Sequence, residues 1–364
     1  MDVKVITRHT PSNYGSLLQS IAIIRTLEQM GYVARIINYE RMNERALQKV
    51  WIDACLKGGG ALKRLIYTIV RYPIEKLAEC RFEKMRKTYL RMTQCLHTHE
   101  ELSELKADVF MTGSDQVWGP MMNGEYDTAY FLDFVRCGKK VSYAGSFGKT
   151  KFDEAIVSEY KRMLTKYDKI AVREDSAVKL LADWGLQNCV GQVIDPTLLL
   201  NKKEWFKVFN IQDTNEGDYV LIYQIHNDPN VGSYAKALAE KNGLKLLRVN
   251  PFLHQAMREG KFVCCPDVKR FLELINGAKF IVTDSFHGTC FAINFNKQFV
   301  EILPNNATGT RNRSILTLTG LSSRIVCDYK DFSLVDSEID YTPVNAILDG
   351  ERKRCKEVMN ELLK

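Results

Sequence analysis

The chain has 364 residues, 45% of them apolar and 26% charged, the balance of a folded globular protein of about two domains. Those proportions exclude a disordered polymer, a collagen-like repeat and a disulfide-dense miniprotein. No run approaches the ~18 uninterrupted apolar residues of a membrane span. The opening Met1-Asp2-Val3-Lys4 places charge where a secretory signal needs apolar residues, so the expectation is a cytoplasmic protein.

Residues 3–7 form a β-rich run and 9–15 a polar loop. Leu17, Leu18, Ile21, Ile24 and Leu27 then recur at three- and four-residue steps, which predicts a helix closed by Gly31. A strand over 33–38 completes a βαβ unit, and its right-handed crossover implies a parallel sheet. Residues 41–105 read as a helical insertion. Strands follow at 107–112 and 140–144, then a helix at 152–166, a strand at 169–172, a helix at 176–184 and a strand at 190–194. Asp195-Pro196-Thr197 ends that strand and is a natural interdomain connection, because proline stops the strand. A second α/β set has strands at 219–224, 244–249, 280–283 and 299–303 and helices at 232–242, 268–276 and 290–295. The expected architecture is two doubly wound halves facing a cleft, 1–200 and 201–343, with a charged terminal helix over 344–364 that packs back on the first half.

The formal charge of +7 is unevenly placed. Ten basic residues and only three acids (Glu75, Glu79, Glu83) lie from Lys57 to Arg91, so this segment alone carries the net charge. Its apolar Leu62, Leu65, Ile66, Ile69 and Val70 recur at helical spacing with Tyr67 as the one nearby aromatic. That is too few rings for a base-stacking platform, and nucleic acid is not an expected partner. Two readings of the stripe stand: a solvated helix face, or peripheral attraction to anionic lipid. The ten cysteines include no CxxC pair, and Cys264-Cys265 cannot complete a tetrahedral site alone, so reduced thiols and no metal are expected.

Ligands of open parallel sheets bind beyond the carboxyl ends of the strands, and four predicted strands or loops end there in small or polar residues. Asn13-Tyr14-Gly15-Ser16 opens a helix whose free amides suit an anion or a hydroxyl, with Ser16 as a plain cap the alternative. It lacks the Gly-x-Gly-x-x-Gly spacing of a dinucleotide site. Gly113-Ser114-Asp115-Gln116-Val117-Trp118 offers a carboxylate, an amide and an indole, a set that holds sugars; the alternative is a turn-forming Asp115 and a core Trp118. Arg173 ends a strand, where its planar fork can grip a carboxylate or phosphate, or pair with Glu174 or Asp175. Of six histidines, only His287 lies between a buried-type strand and a glycine opening a helix. Ser285, Gly288 and Thr289 around it offer hydroxyls and amides to an oxyanion, and an imidazole beside such a cradle suits proton transfer. His9 ranks second.

Together with Tyr143-Ala144-Gly145-Ser146-Phe147-Gly148, Asp195-Pro196-Thr197-Leu198-Leu199 and Asn312-Arg313-Ser314-Ile315-Leu316, these motifs in this order resemble the polysaccharide pyruvyltransferase family. The resemblance implies two Rossmann-like domains similar to those of B-type glycosyltransferases, with 1–200 the acceptor side and 201–343 the donor side. It implies transfer of pyruvate from phosphoenolpyruvate, a co-substrate with no further cofactor, to two hydroxyls of a sugar as a cyclic ketal in capsule or exopolysaccharide synthesis. In that scheme His287 is the general acid and Asp115 orients or deprotonates the acceptor. Arg173, Ser285, Gly288, Thr289 and Arg313 bind the donor, and Asn13, Tyr14, Gln116 and Trp118 face the acceptor. Some relatives carry arginine two positions before the motif histidine. Here that position is Ser285, so Arg311 or Arg313 must supply the charge. The expected acceptor is a lipid-linked oligosaccharide, which would bring residues 57–91 to the inner face of the membrane. A nucleotide-sugar-dependent glycosyltransferase and a non-catalytic glycan-binding protein are the competing readings.

Overall fold

Strands such as Val109-Phe110-Met111 and Phe280-Ile281-Val282 have no polar alternation, as expected where both faces of a parallel sheet are covered. The computed structural model describes residues 1–120, 126–213, 217–304 and 309–364 and organises them around two such sheets. The first contains β1 (Asp2–Ile6), β2 (Val33–Ile36), β3 (Val109–Thr112), β4 (Lys139–Gly145), β5 (Lys169–Val172) and β6 (Cys189–Gln192), in the order β2-β1-β3-β4-β5-β6. The second contains β7 (Tyr219–Tyr223), β8 (Lys245–Asn250), β9 (Lys261–Cys264), β10 (Phe280–Thr283) and β11 (Gln298–Glu301), in the order β11-β10-β7-β8-β9. Every named pairing is parallel. The chain is thus two Rossmann-like halves. Strand order reverses between β1 and β3 in one sheet and between β7 and β10 in the other, and those two crevices are where such sheets accept ligands.

The first half carries α1 (Tyr14–Gln29), α2 (Ala46–Leu56), α3 (Ala61–Tyr89), α4 (His99–Ser103), α5 (Glu154–Leu164) and α6 (Asp175–Asp183). Next come α7 (Pro196–Leu199) and α8 (Lys202–Phe209), followed in the second half by α9 (Pro229–Lys241), α10 (Val268–Gly277), α11 (Phe286–Asn294), α12 (Gly309–Leu318) and α13 (Ser333–Asp336). The last helix, α14 (Tyr341–Leu363), lies against β4 and α7, and the Ile194 amide donates to Cys355 Sγ at 3.4 Å.

Asp195-Pro196-Thr197 is no exposed linker. All four residues of α7 are buried; Trp205 Nε1, Asn294 Nδ2 and Arg352 Nε donate to its carbonyls, so α8, α11 and α14 converge on it. One apolar cluster runs through both halves, from Val3 and Leu17 to Phe271 and Phe291. Tyr14 is part of it: its ring stacks on Phe271 of α10 at 4.1 Å and its hydroxyl donates to the Pro266 carbonyl. Trp118 is wholly buried against Phe131, Phe147 and Tyr167, with Nε1 donating to the Tyr130 carbonyl at 3.1 Å. Neither ring can face a sugar, which corrects the acceptor roles expected for Tyr14 and Trp118.

The insertion after β2 divides into two parts. Helices α2 and α3 form a hairpin joined by Gly58-Gly59-Gly60, where Gly58 and Gly59 adopt φ of 72° and 102°, a left-handed turn that needs glycine. Beyond α3 the chain runs beside the β2 edge, Met92 bridging Ile36 and Leu96 bridging Tyr39, before α4 starts on a Thr98–Glu101 capping box.

Candidate active site

Helix α1 starts because the Asn13 side chain accepts from the amides of Gly15 (2.7 Å) and Ser16 (3.3 Å). These amides are therefore taken, and Asn13 acts as a cap while also lining a cavity of about 490 Å³ beside the second half. Gly15 matters for what it lacks. A Cβ there would lie 2.0 Å from His287 Nδ1, so the imidazole of the second half is seated on the first helix of the first half.

At the exit of β3, Asp115 adopts φ of 79°, and its carboxylate accepts from Ser16 Oγ (2.8 Å) and the Gln116 amide (2.9 Å). Gln116 turns its own side chain toward Gly148, where a Cβ would come within 2.3 Å of Nε2. The neighbouring Ser114 donates through Oγ to Asp195 at 2.8 Å.

Asp195 is the centre of the arrangement and is buried. Its Oδ1 caps α7, accepting from the Thr197 amide (2.9 Å) and hydroxyl (2.7 Å). Its Oδ2 accepts from Ser114 Oγ and from Arg173 Nη1 (2.9 Å), and it faces His287 Nε2 at 3.7 Å, too long for a direct hydrogen bond. Burial alone would raise its pKa; His287 and Arg173 outweigh burial and hold the carboxyl well below its ordinary range. Asp115 behaves alike: burial opposes ionisation, and His287, Arg173 and Arg311 lower it.

Arg173 follows β5 and is buried, with Nε donating to Glu174 Oε1 (3.0 Å) and Nη1 to Asp195 and Ser114. Its guanidinium covers the Phe286 ring at 4.4 Å, and Arg311 of α12 lies over the same ring at 5.8 Å. Burial and the charge of Arg173 bring Arg311 down to about 10. Arg313, two residues on, is exposed. Arg311, not Arg313, is thus the arginine of α12 placed beside Arg173 and Phe286, because positions two apart on a helix point to opposite sides.

Helix α11 begins at Phe286, earlier than the expected residue 290, so His287 occupies its first turn. Ser285 is its cap, with Oγ accepting from the Gly288 amide at 3.2 Å, and the Thr289 amide and hydroxyl both donate to the Ser285 carbonyl. The hydroxyl of Thr289 also bonds Glu301. Ser285, Gly288 and Thr289 thus spend their polar groups on the helix itself, which corrects the anion cradle expected of them. Gly288 is there for space, since a Cβ would meet Thr283 Oγ1 at 2.4 Å. The preceding Asp284 accepts from the amides of Ile225 (2.7 Å) and His226 (3.0 Å), tying the exits of β7 and β10; burial pushes it up to about 7 against the pull of those amides. His9 is also structural, buried between the Thr7 carbonyl (3.1 Å) and Asn38 Oδ1 (3.0 Å).

Two buried atoms remain without a hydrogen-bond partner around Asp195: Arg173 Nη2 and His287 Nε2. Buried polar groups are normally paired, so a pair of orphans flanking one carboxylate makes these two atoms the candidate contact points for a ligand's acceptors. Among the described residues, no group of three or more His, Cys, Asp or Glu side chains is placed to hold a metal ion. Ser114, Asp195 and Phe286 were absent from the expected site set. The signal for Asp195 was its Asp-Pro-Thr context, a helix cap rather than a linker.

A family model described as polysaccharide pyruvyl transferase matches residues 13–306. No curated protein matches the chain. Among solved structures it is similar to UDP-GlcNAc 2-epimerase from Methanocaldococcus jannaschii, at 14% identity and a TM-score of 0.53, covering 100% of this chain and 99% of that one. It is also similar to Arabidopsis thaliana UGT89C1 complexed with UDP-L-rhamnose, at 9% identity and a TM-score of 0.50, covering 99% and 95%. At these identities the likeness is one of fold.

Two stability measurements check this geometry. Gly15→Ala forces the ring of His287 to move and lowers stability by about 1–3 kcal/mol in denaturant titrations; on a His287→Ala background the same change costs almost nothing, because the clash is gone. Asp195→Asn leaves the buried Arg173 with Glu174 as its remaining carboxylate partner and destabilises by about 1–3 kcal/mol at neutral pH. The folded pKa of Asp195 lies below its ordinary 3.8, so its contribution is complete above that value and is lost as pH falls through the folded pKa. The gap between the parent chain and Asp195→Asn therefore narrows only in strong acid.

Proposed function

This chain belongs to the polysaccharide pyruvyl transferase family and is a transferase, and from that premise we propose that it moves pyruvate from phosphoenolpyruvate onto two hydroxyls of one sugar as a cyclic ketal. The observation that carries the reading is the pair of unpartnered buried donors, Arg173 Nη2 and His287 Nε2, on either side of Asp195 between the two sheet crevices.

Phosphoenolpyruvate is an enol phosphate ester, and its enol oxygen feeds electron density to the methylene carbon. Protonation of its methylene carbon gives an oxocarbenium-like centre that a sugar hydroxyl attacks, losing its own proton to a base. Inorganic phosphate then leaves with the C–O bonding pair, and the second hydroxyl closes the ring with loss of its proton. His287, whose Nε2 faces the Asp195 carboxylate at 3.7 Å, supplies the first proton. Arg173 and Arg311, stacked over Phe286, stabilise the anionic donor in a site shielded from water. Asp115, half-buried at the opposite crevice, orients or deprotonates the acceptor hydroxyl, with Asn13 and Gln116 nearby. In this reading the donor's charge is met from both halves, by Arg173 of the first and Arg311 of the second. The acceptor is a lipid-linked oligosaccharide at the cytoplasmic face of a membrane, on the way to a capsule or exopolysaccharide.

Incubation with phosphoenolpyruvate and a panel of galactosides, glucosides and mannosides tests this. Phosphate release that depends on one acceptor class, with a product carrying pyruvate, is the expected result. His287→Ala lowers kcat by about 10²–10⁴ while the chain stays folded. Retained turnover removes His287 from the mechanism. Tight uridine diphosphate binding with no phosphate release from any acceptor points instead to glycosyl transfer.

A further inference from the structure

The α2–α3 hairpin is amphipathic in the wrong sense for a solvated element. Leu62, Leu65, Ile66, Ile69 and Val70 occupy one face of the first half of α3 and are each 50–71% exposed. The opposite face, carrying Tyr67, Thr68 and Arg71, points into the protein: Thr68 is buried, and Tyr67 and Arg71 line the cavity of about 490 Å³ shared with Phe252, His254 and Arg258 of the second half. A helix that turns polar groups inward and aliphatic ones outward leaves an apolar surface in need of an occupant. Leu47, Trp51 and Leu56 of α2 add further exposed apolar groups on the same hairpin.

The charge pattern says what that occupant is. No acid lies between Asp53 and Glu75, whereas Lys57, Lys63, Arg64 and Arg71 do. The second half of α3 differs: Lys76 pairs with Glu79 and Lys87 with Glu83, Arg81 donates to the carbonyls of Cys264 and Cys265, and buried Arg86 donates to the Thr10 carbonyl. In the first half, Lys57 pairs with Asp53 at 3.1 Å and the inward Arg71 with Glu75 at 3.0 Å, which leaves Lys63 and Arg64 as the cations beside the aliphatic face. A second copy seated on this face by a two-fold axis would bring like charges together. Among the described residues, no helix is long and apolar enough to cross a membrane, so the face suits a helix lying on a bilayer.

We infer that the α2–α3 hairpin docks on an anionic lipid surface, with Leu62, Leu65, Ile66, Ile69 and Val70 entering the boundary between headgroups and acyl chains and Lys63 and Arg64 at the headgroups. This deepens the reading of a lipid-linked acceptor and rests on it for its purpose, while its test does not depend on the reaction. The cavity behind α3 then opens close to the membrane, next to Asn13 of the candidate site.

The full chain is sedimented with vesicles of phosphatidylcholine alone or mixed equally with phosphatidylglycerol. Binding to the mixed vesicles at least tenfold stronger than to phosphatidylcholine is expected, and Leu65→Glu with Ile69→Glu should abolish it while leaving the melting temperature unchanged. Phosphate release with a water-soluble glycoside stays at the parent level in that variant. Equal binding to both vesicle types, no binding to either, or full binding by the variant overturns the inference. So does a dimer in sedimentation velocity that the variant dissolves, which assigns the face to a second copy. Absence of phosphate release from parent and variant alike, with vesicle binding intact, counts against the proposed reaction and leaves the docking surface standing.

Discussion

A buried carboxylate survives only where cations and hydrogen-bond donors surround it, and Asp195 meets that condition at a place where both halves of the chain converge. Its two oxygens are filled by Thr197, Ser114 and Arg173, which come from α7, the β3 exit and the β5 exit, while His287 approaches from the second half. The ion cluster is thus both a structural tie and the electrostatic core of the site. Removing water from it strengthens each interaction, so the orphaned atoms of Arg173 and His287 are held in position before any ligand arrives.

The fold brings these residues together through topology. Each sheet reverses its strand order once, and the loops leaving β1, β3, β7 and β10 carry the polar motifs. The halves are fused by a common apolar cluster, by the stacked Tyr14 and Phe271, and by the close seat of His287 on Gly15. Such a joint leaves little freedom for the imidazole to shift without disturbing α1. Burial and, after it, repulsion from Arg173 over the same phenylalanine ring lower Arg311 and leave positive potential concentrated beside Phe286.

Much of this was legible in the sequence. Apolar runs of strand length located most of the sheet, and the motifs at strand exits located the crevices. The terminal helix and the helical character of the insertion were visible in the sequence, but its division into a hairpin was not. The errors have physical causes. Trp118 and Tyr14 follow polar, glycine-containing motifs, and a local pattern does not reveal that the rings turn back into the core. Ser285, Gly288 and Thr289 looked like an anion cradle because the helix was expected to start after them; once Ser285 is the cap, their groups are consumed by the helix. Arg311 and Arg313 are indistinguishable without the helix phase. Short β9 lies at a sheet edge, and its Lys261-Phe262-Val263-Cys264 carries too weak a pattern to declare itself. The exposed face of α3 was read as helical, but which side of an amphipathic helix meets solvent is decided by tertiary packing.

The most direct measurement is a crystal structure of the protein with phosphoenolpyruvate bound. The account predicts phosphate or carboxylate oxygens at about 3 Å from Arg173 Nη2 and His287 Nε2, with the methylene carbon facing the imidazole. Binding of the compound elsewhere, with those two atoms still unpaired against Asp195, would contradict it.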